Sequence, residues 1–209
     1  MKALGLAFSA RKKGNCVNCA EYVLAKLKDQ GFETEVINAY DCDMKPCSHC
    51  NYECFAEKLR SKNEECPIKD DVPTIYAKMK DADVIVLAVP TYSGKAASLY
   101  SAFTERAQGI IKDYEEFKNT ILNKIIALIV IGNIPAGGDL AYHTLILDHH
   151  DCKYPPASIL LQSVEYGQSS ILGTLVEDKR VKDRLDDLVN LILDDWKNKQ
   201  QHDELLSDS

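Results

Sequence analysis

The sequence predicts a doubly wound α/β domain: a five-stranded parallel sheet in the order 2-1-3-4-5, with helices on both faces. Three observations predict it. Short apolar runs alternate with helical patterns five times along the chain. Two of those runs, Asp83 to Val89 and Lys124 to Ile131, are almost continuously apolar, as strands buried on both faces of a parallel sheet must be. The 209 residues, 45% hydrophobic and 27% charged, suffice for one domain with a substantial core. That domain is expected over residues 1–200, with a polar, frayed tail over 201–209.

The first strand is Lys2 to Phe8, followed by the polar stretch Ser9 to Cys16 and a helix carrying Cys19, Tyr22, Val23, Ala25, Lys26 and Leu27 that stops at Gly31. Thr34 to Asn38 is the second strand. Ala39 to Lys69 has no sustained periodicity and holds five of the eight cysteines, a Cys-rich insertion at about 40–69 of the kind that carries function in a compact domain. The Asp70 and Asp71 carboxylates favour the start of a helix running through Lys80. Asp83 to Val89 is the third strand, and a helix with Leu99, Phe103 and Ala107 follows. After the fourth strand, Lys124 to Ile131, Asp139 is placed to cap a helix through His149. Ala157 to Tyr166 is the fifth strand, and a final amphipathic helix from Asp178 to Lys199 puts Val181, Leu185, Leu188, Val189 and Ile192 on one face. The arrangement is of the flavodoxin-like type.

Charge and composition exclude some functions. A net charge of -7 without any basic block argues against nucleic acid and anionic membrane surfaces as partners. No signal peptide is legible at the amino terminus and no apolar run is long enough to span a bilayer, so a cytoplasmic location is expected. In that compartment thiols stay reduced, and clustered cysteines lean towards metal or redox chemistry. His202-Asp203-Glu204-Leu205 spells a retention signal but is not terminal, so no receptor would read it.

In this strand order a crevice opens at the carboxyl ends of strands 1, 3 and 4, where the loops Ser9–Cys16, Pro90–Lys95 and Gly132–Gly138 converge. The first offers backbone N–H groups at a helix start, the Ser9 hydroxyl, the Arg11 cation and Gly14, which together suit a phosphate. It matches neither G-x-G-x-x-G nor G-x-x-x-x-G-K-[ST], which weakens dinucleotide-first and P-loop readings. Tyr92 can cover a flat ring while Ser93, Gly94 and the backbone bind a heterocycle edge. A mononucleotide with a planar head fits all three loops. A plain polar turn at Ser9–Cys16, and a turn aromatic packed on its own helix at Tyr92, are the alternatives.

Ser9-x-Arg11-x-x-Gly14-Asn15, Asp70-Asp71, and Pro90-Thr91-Tyr92-Ser93-Gly94 before a helix ending Glu105-Arg106 resemble the flavodoxin-like NAD(P)H-dependent FMN reductase and iron-sulfur flavoprotein family, over roughly the first two-thirds of the chain. By that resemblance, Ser9, Arg11, Gly14, Asn15 and Cys16 would bind the FMN phosphate, Pro90, Thr91, Tyr92, Ser93 and Gly94 would line the isoalloxazine, and Gly132 and Asn133 would lie at the ring edge. Cys16 stands where the family usually has Ser or Thr, so its N–H rather than its thiol would serve. Buried structural thiols are the plainer reading of Cys16 and Cys19. Glu105 replaces the Asp of an Asp-Arg pair and reads as structural or interfacial. The resemblance implies an enzyme that moves hydride from the nicotinamide to the flavin and passes electrons to a small-molecule or protein acceptor. It also implies a homodimer or higher homo-oligomer. A non-enzymatic electron carrier and a redox or metal sensor built on the cysteine loop are the rivals.

The cysteines Cys47-x2-Cys50-x3-Cys54-x11-Cys66 leave three readings open: a [4Fe–4S] cluster as the resemblance implies, tetrahedral zinc on the same four or with His49 replacing one, or no metal and an ordered cap over the flavin. The last two gaps are longer than the family's compact pattern. His149-His150-Asp151-Cys152 could supply metal ligands, though histidines at a helix end more simply satisfy its last carbonyls. Asp194-Asp195 reads as the solvated face of the last helix.

Overall fold

The apolar runs become strands whose buried side chains alternate between two faces of one sheet. The computed structural model describes residues 1–48, 54 and 66–207. The strands are β1 (Lys2–Ala7), β2 (Glu33–Asn38), β3 (Val84–Tyr92), β4 (Lys95–Ala96), β5 (Ile125–Gly132) and β6 (Ala157–Gln162). The helices are α1 (Asn15–Asp29), α2 (Val72–Asp81), α3 (Ser98–Glu105), α4 (Ala107–Ile110), α5 (Tyr114–Phe117), α6 (Asp139–Asp148) and α7 (Lys179–Ser207). The sheet runs β2-β1-β3-β5-β6, with all neighbours parallel. With β4 set aside, this is the predicted order. The two-residue β4 pairs antiparallel with the end of β3 and had no counterpart in the expected elements.

On β3, Val84, Val86 and Ala88 face α1 and α7, while Ile85, Leu87 and Val89 face α2, α3 and α6. On β5, Ile125, Ala127, Ile129 and Ile131 join the first core and Ile126, Leu128 and Val130 the second. Each fully buried Leu or Ile adds about 1.5–3 kcal/mol to the transfer of apolar surface from water, so these two strands hold the domain together. The α1 positions Cys16, Val17, Cys19, Ala20, Val23, Leu24 and Leu27 recur at helical spacing and are all buried. The chain leaves α1 through a Schellman turn, with Phe32 N–H donating to Leu27 O at 3.2 Å and Gly31 N–H to Lys28 O at 2.9 Å.

Several boundaries differ from expectation. The last strand ends at Gln162, because its neighbour β5 ends at Gly132, the residue paired with Gln162. Ser163–Tyr166 instead forms a 3₁₀ turn closed by Gly167 at φ 64°. The final helix continues past Lys199 to Ser207, since residues 200–207 contain no Gly or Pro to stop it. The N-cap of α6 is Gly138, with Asp139 in the first turn. At α2 the carboxylates do other work than capping alone: Asp70 Oδ1 accepts from Val72 N–H at 3.3 Å, and Asp71 Oδ2 accepts from Asp43 N–H at 2.8 Å.

Candidate functional site

Because β1, β3 and β5 are adjacent and parallel, the loops after them leave from one edge of the sheet. The first loop turns back on itself, with Ser9 Oγ accepting from Arg11 N–H at 3.3 Å. Asn38, at the end of β2, ties it down by donating to Arg11 O at 3.3 Å and Lys12 O at 3.0 Å. Gly14 is the N-cap of α1 in extended conformation; among the described residues no side chain caps the helix, and no acidic residue occupies its first turn. The first N–H groups of α1 and its positive dipole end therefore face a loop that carries Arg11, the electrostatics an anion requires. A β-carbon on Gly14 would stand 3.6 Å from Ser9 Oγ, inside the curl of the loop.

The side chains of this loop also have partners that the sequence did not announce. Arg11 Nη1 donates to Ser170 O at 2.6 Å, and Asn15 Nδ2 to Ser169 O at 3.1 Å, while Asn15 Oδ1 accepts from Leu175 N–H at 3.1 Å. One turn on, Asn18 Nδ2 donates to Gly173 O at 2.7 Å. Residues 167–175 thus lie across the loop, joined to it by bonds between residues 154 to 160 apart in sequence. Burial raises the Cys16 thiol pKa, with neighbouring Cys19 adding to the effect, and raises that of Cys19 to about 12. Both thiols are protonated core groups.

In the second loop Tyr92 and Lys95 pair across a two-residue turn in which Ser93 has φ 51° and Gly94 φ 77°. Positive φ at both central residues is the hairpin geometry that matches strand twist, and Gly94 takes it without strain. The turn leaves Tyr92 45% exposed at the sheet edge, on the rim of the crevice rather than packed under its helix. The third loop abuts it: β-carbons built on Gly94 and Gly132 would lie 3.8 Å from Gly137 O and 3.6 Å from Thr91 Oγ1. Asn133 is held by Ser163, whose Oγ donates to Asn133 Oδ1 at 3.0 Å. Pro90, Thr91, Tyr92, Ser93, Gly94, Gly132 and Asn133 are therefore gathered on one wall. Ser9, Arg11, Gly14, Asn15 and Cys16 form the neighbouring one.

The cysteine loop is anchored by a residue the sequence marked only as part of a structural pair. Arg106, after α3, is buried; its Nη1 pairs with Asp70 Oδ2 at 2.5 Å and also donates to Lys45 O at 3.1 Å. Its Nη2 donates to Ile68 O at 3.3 Å and reaches Cys66 Sγ at 3.4 Å. One guanidinium thereby clasps both ends of the insertion. Cys66 also lines a cavity of about 270 Å³ with Ile68, Pro73, Gly109 and Ile110. Cys47 and Cys54 are half-buried, and Cys50, like His49, lies outside the described residues. Among the described residues no three His, Cys, Asp or Glu side chains converge on a point where a metal ion could sit. His149 is buried and neither of its ring nitrogens has a partner among the described residues, whereas His150 Nδ1 meets Leu147 O at 2.6 Å, at the end of α6. The described residues contain no helix long and apolar enough to cross a membrane.

Comparison with known proteins adds a family. The profile described as NADPH-dependent FMN reductase matches residues 1–162. An iron-sulfur flavoprotein of Archaeoglobus fulgidus is 31% identical over 148 residues, 68% of this chain and 68% of that protein. One of Methanocaldococcus jannaschii is 30% identical over 138 residues, 66% of this chain and 65% of that one. The matches thus span about two-thirds of the relatives' own length. Among solved structures, RosB with a bound riboflavin-phosphate intermediate superposes with a TM-score of 0.64 at 16% identity, covering 100% of this chain and 88% of that one. That likeness shows the flavodoxin-like fold.

Proposed function

The chain belongs to the NADPH-dependent FMN reductase family, and from that membership we propose that it is an FMN-dependent NAD(P)H oxidoreductase that hands electrons to a second acceptor. The observation that carries the reading is the start of α1: a helix end without a side-chain cap among the described residues, facing a loop that holds Arg11 and the buried Ser9. A phosphate monoester there would accept backbone N–H bonds and a charge-assisted bond from Arg11. Bound FMN would supply the hydride-accepting chemistry.

The residues of the chain bind and orient. Ser9, Gly14, Asn15 and Cys16 would present the loop to the phosphate, Cys16 through its N–H because its thiol is buried in the core. Tyr92, beside the two-residue turn, would border the ring, and the Gly132–Asn133 wall, where Ser163 bonds Asn133, would limit its other edge. No side chain is assigned as acid or base. The described cysteines do not by themselves assemble a site for an iron-sulfur cluster, so the reading routes no step through one. The acceptor would be a small molecule or a protein, and the active form a homodimer or larger.

Apoprotein mixed with FMN and passed through a desalting column should emerge yellow and should oxidise NADPH or NADH when an acceptor is supplied. Colourless protein without nicotinamide oxidation rejects the reading. Arg11→Met should weaken FMN binding by about tenfold to a hundredfold, the worth of a hydrogen bond to a charged group, while leaving riboflavin binding within about twofold because riboflavin lacks the phosphate. Flavin fluorescence titration measures both.

A further inference from the structure

Residues 167–175 lie beyond residue 162, where the family match ends, yet they hydrogen-bond both Arg11 and Asn15 of the proposed phosphate loop. Their attachment is specific. Ser169 Oγ accepts from Ile171 and Leu172 N–H at 3.0 and 3.2 Å, which turns the segment so that the Ser169 and Ser170 carbonyls point back at Asn15 and Arg11. Gly173, at φ 75°, lies against Gly14 so closely that a β-carbon would stand 3.5 Å from Gly14 Cα and 3.1 Å from Asn18 Nδ2. Such a conformation and such an approach admit glycine and disfavour any other residue. At the far side of the turn Ile171 and Leu172 are 64% and 74% exposed.

We propose that this strap positions Arg11 and Asn15, and so sets the preference of the site for a phosphorylated flavin over an unphosphorylated one. The proposal rests on the FMN reading of the first loop. An arginine on a surface loop samples many rotamers and loses them on binding an anion. Here Ser170 O already takes one of its five N–H groups and leaves the others for a phosphate. Asn15 uses both ends of its amide on the strap, which ties the loop backbone at the start of α1 to residues 169 and 175. The strap itself contributes carbonyl oxygens, which would repel a phosphate placed against them; its role is to orient the donors and not to bind the ligand. Coupling of this kind is reciprocal: whatever the strap adds to phosphate binding, phosphate binding returns to the strap.

The test uses Asn18→Ala and Gly173→Ala, which loosen the strap from outside the proposed binding groups, with Asn18→Ala the milder of the two. FMN and riboflavin are titrated into each full-length apoprotein by flavin fluorescence, with circular dichroism to confirm the fold. Each variant should lose FMN affinity by about threefold to tenfold, the range of one or two hydrogen bonds, and hold riboflavin within about twofold. In the wild type, FMN but not riboflavin should slow cleavage at Ile171 and Leu172 by a non-specific protease. An unchanged ratio of FMN to riboflavin affinity in both folded variants, or equal protection by the two flavins, overturns the proposal. A wild type that binds no FMN overturns the functional reading and takes this inference with it, whereas a wild type that prefers FMN alongside variants that keep that preference overturns the inference alone.

Discussion

Arg106 is buried with its carboxylate partner Asp70, and the side chains of both are wholly screened from solvent. Its Nε finds no acceptor among the described residues, so the clasp is held at some cost in desolvation. Removing one member of such a pair strands the other charge, so Arg106→Ala should destabilise the fold by about 3–5 kcal/mol in urea unfolding. Replacing Arg106 and Asp70 together with Met and Leu should recover part of that loss. His149 gives a pH-dependent counterpart. Burial holds its pKa below the ordinary 6.5, partly opposed by Asp148. As pH falls below about 6.5 the unfolded chain takes up a proton that the folded chain refuses, so stability declines until the folded pKa is passed. His149→Leu should therefore flatten the difference between urea midpoints at about pH 7.5 and about pH 5.5, relative to wild type. The sequence showed that both residues end helices, but the partners of Arg106 were not legible, because Asp70 and Lys45 reach it only when α2 and the cysteine loop pack beside α3.

The hairpin between Tyr92 and Lys95 shows the same division among elements. Apolar continuity located β3, and the Ser-Gly pair marked a loop, yet a two-residue strand adds too little pattern to be read in advance. Gly94 sits at φ 77°, where a β-carbon costs an L-residue about 1–2 kcal/mol. Gly94→Ala should lower the thermal midpoint accordingly, and since the turn displays Tyr92 it should also weaken riboflavin and FMN binding alike. That common loss separates ring contacts from the phosphate-selective effects expected at Arg11 and the strap. Helix α7 was legible from its apolar face, and its extension to Ser207 follows from residues that do not interrupt a helix, which favour order wherever a helix already exists to be extended.

For the molecule as a whole, two cores share one sheet, and the only tryptophan joins distant parts of the chain: Trp196 of α7 packs on Phe32, which precedes β2, with ring centroids 5.5 Å apart. Because α1, α7 and all five parallel strands share the first core, unfolding followed by Trp fluorescence and by far-ultraviolet circular dichroism should give coincident midpoints. An earlier fluorescence transition would mean that α7 leaves before the sheet melts. By itself the sequence determined the strand and helix alternation, the strand order and the three loops at the carboxyl edge, because burial on one face or two imposes a period that local residues must obey. Only the tertiary structure decided that Arg106 gathers the ends of the cysteine loop and that residues 167–175 return to hold Arg11 and Asn15. Those bonds join backbone carbonyls to side chains across 38 to 159 residues. A carbonyl is the same group in every residue, so nothing in the order of side chains announces which one will be used.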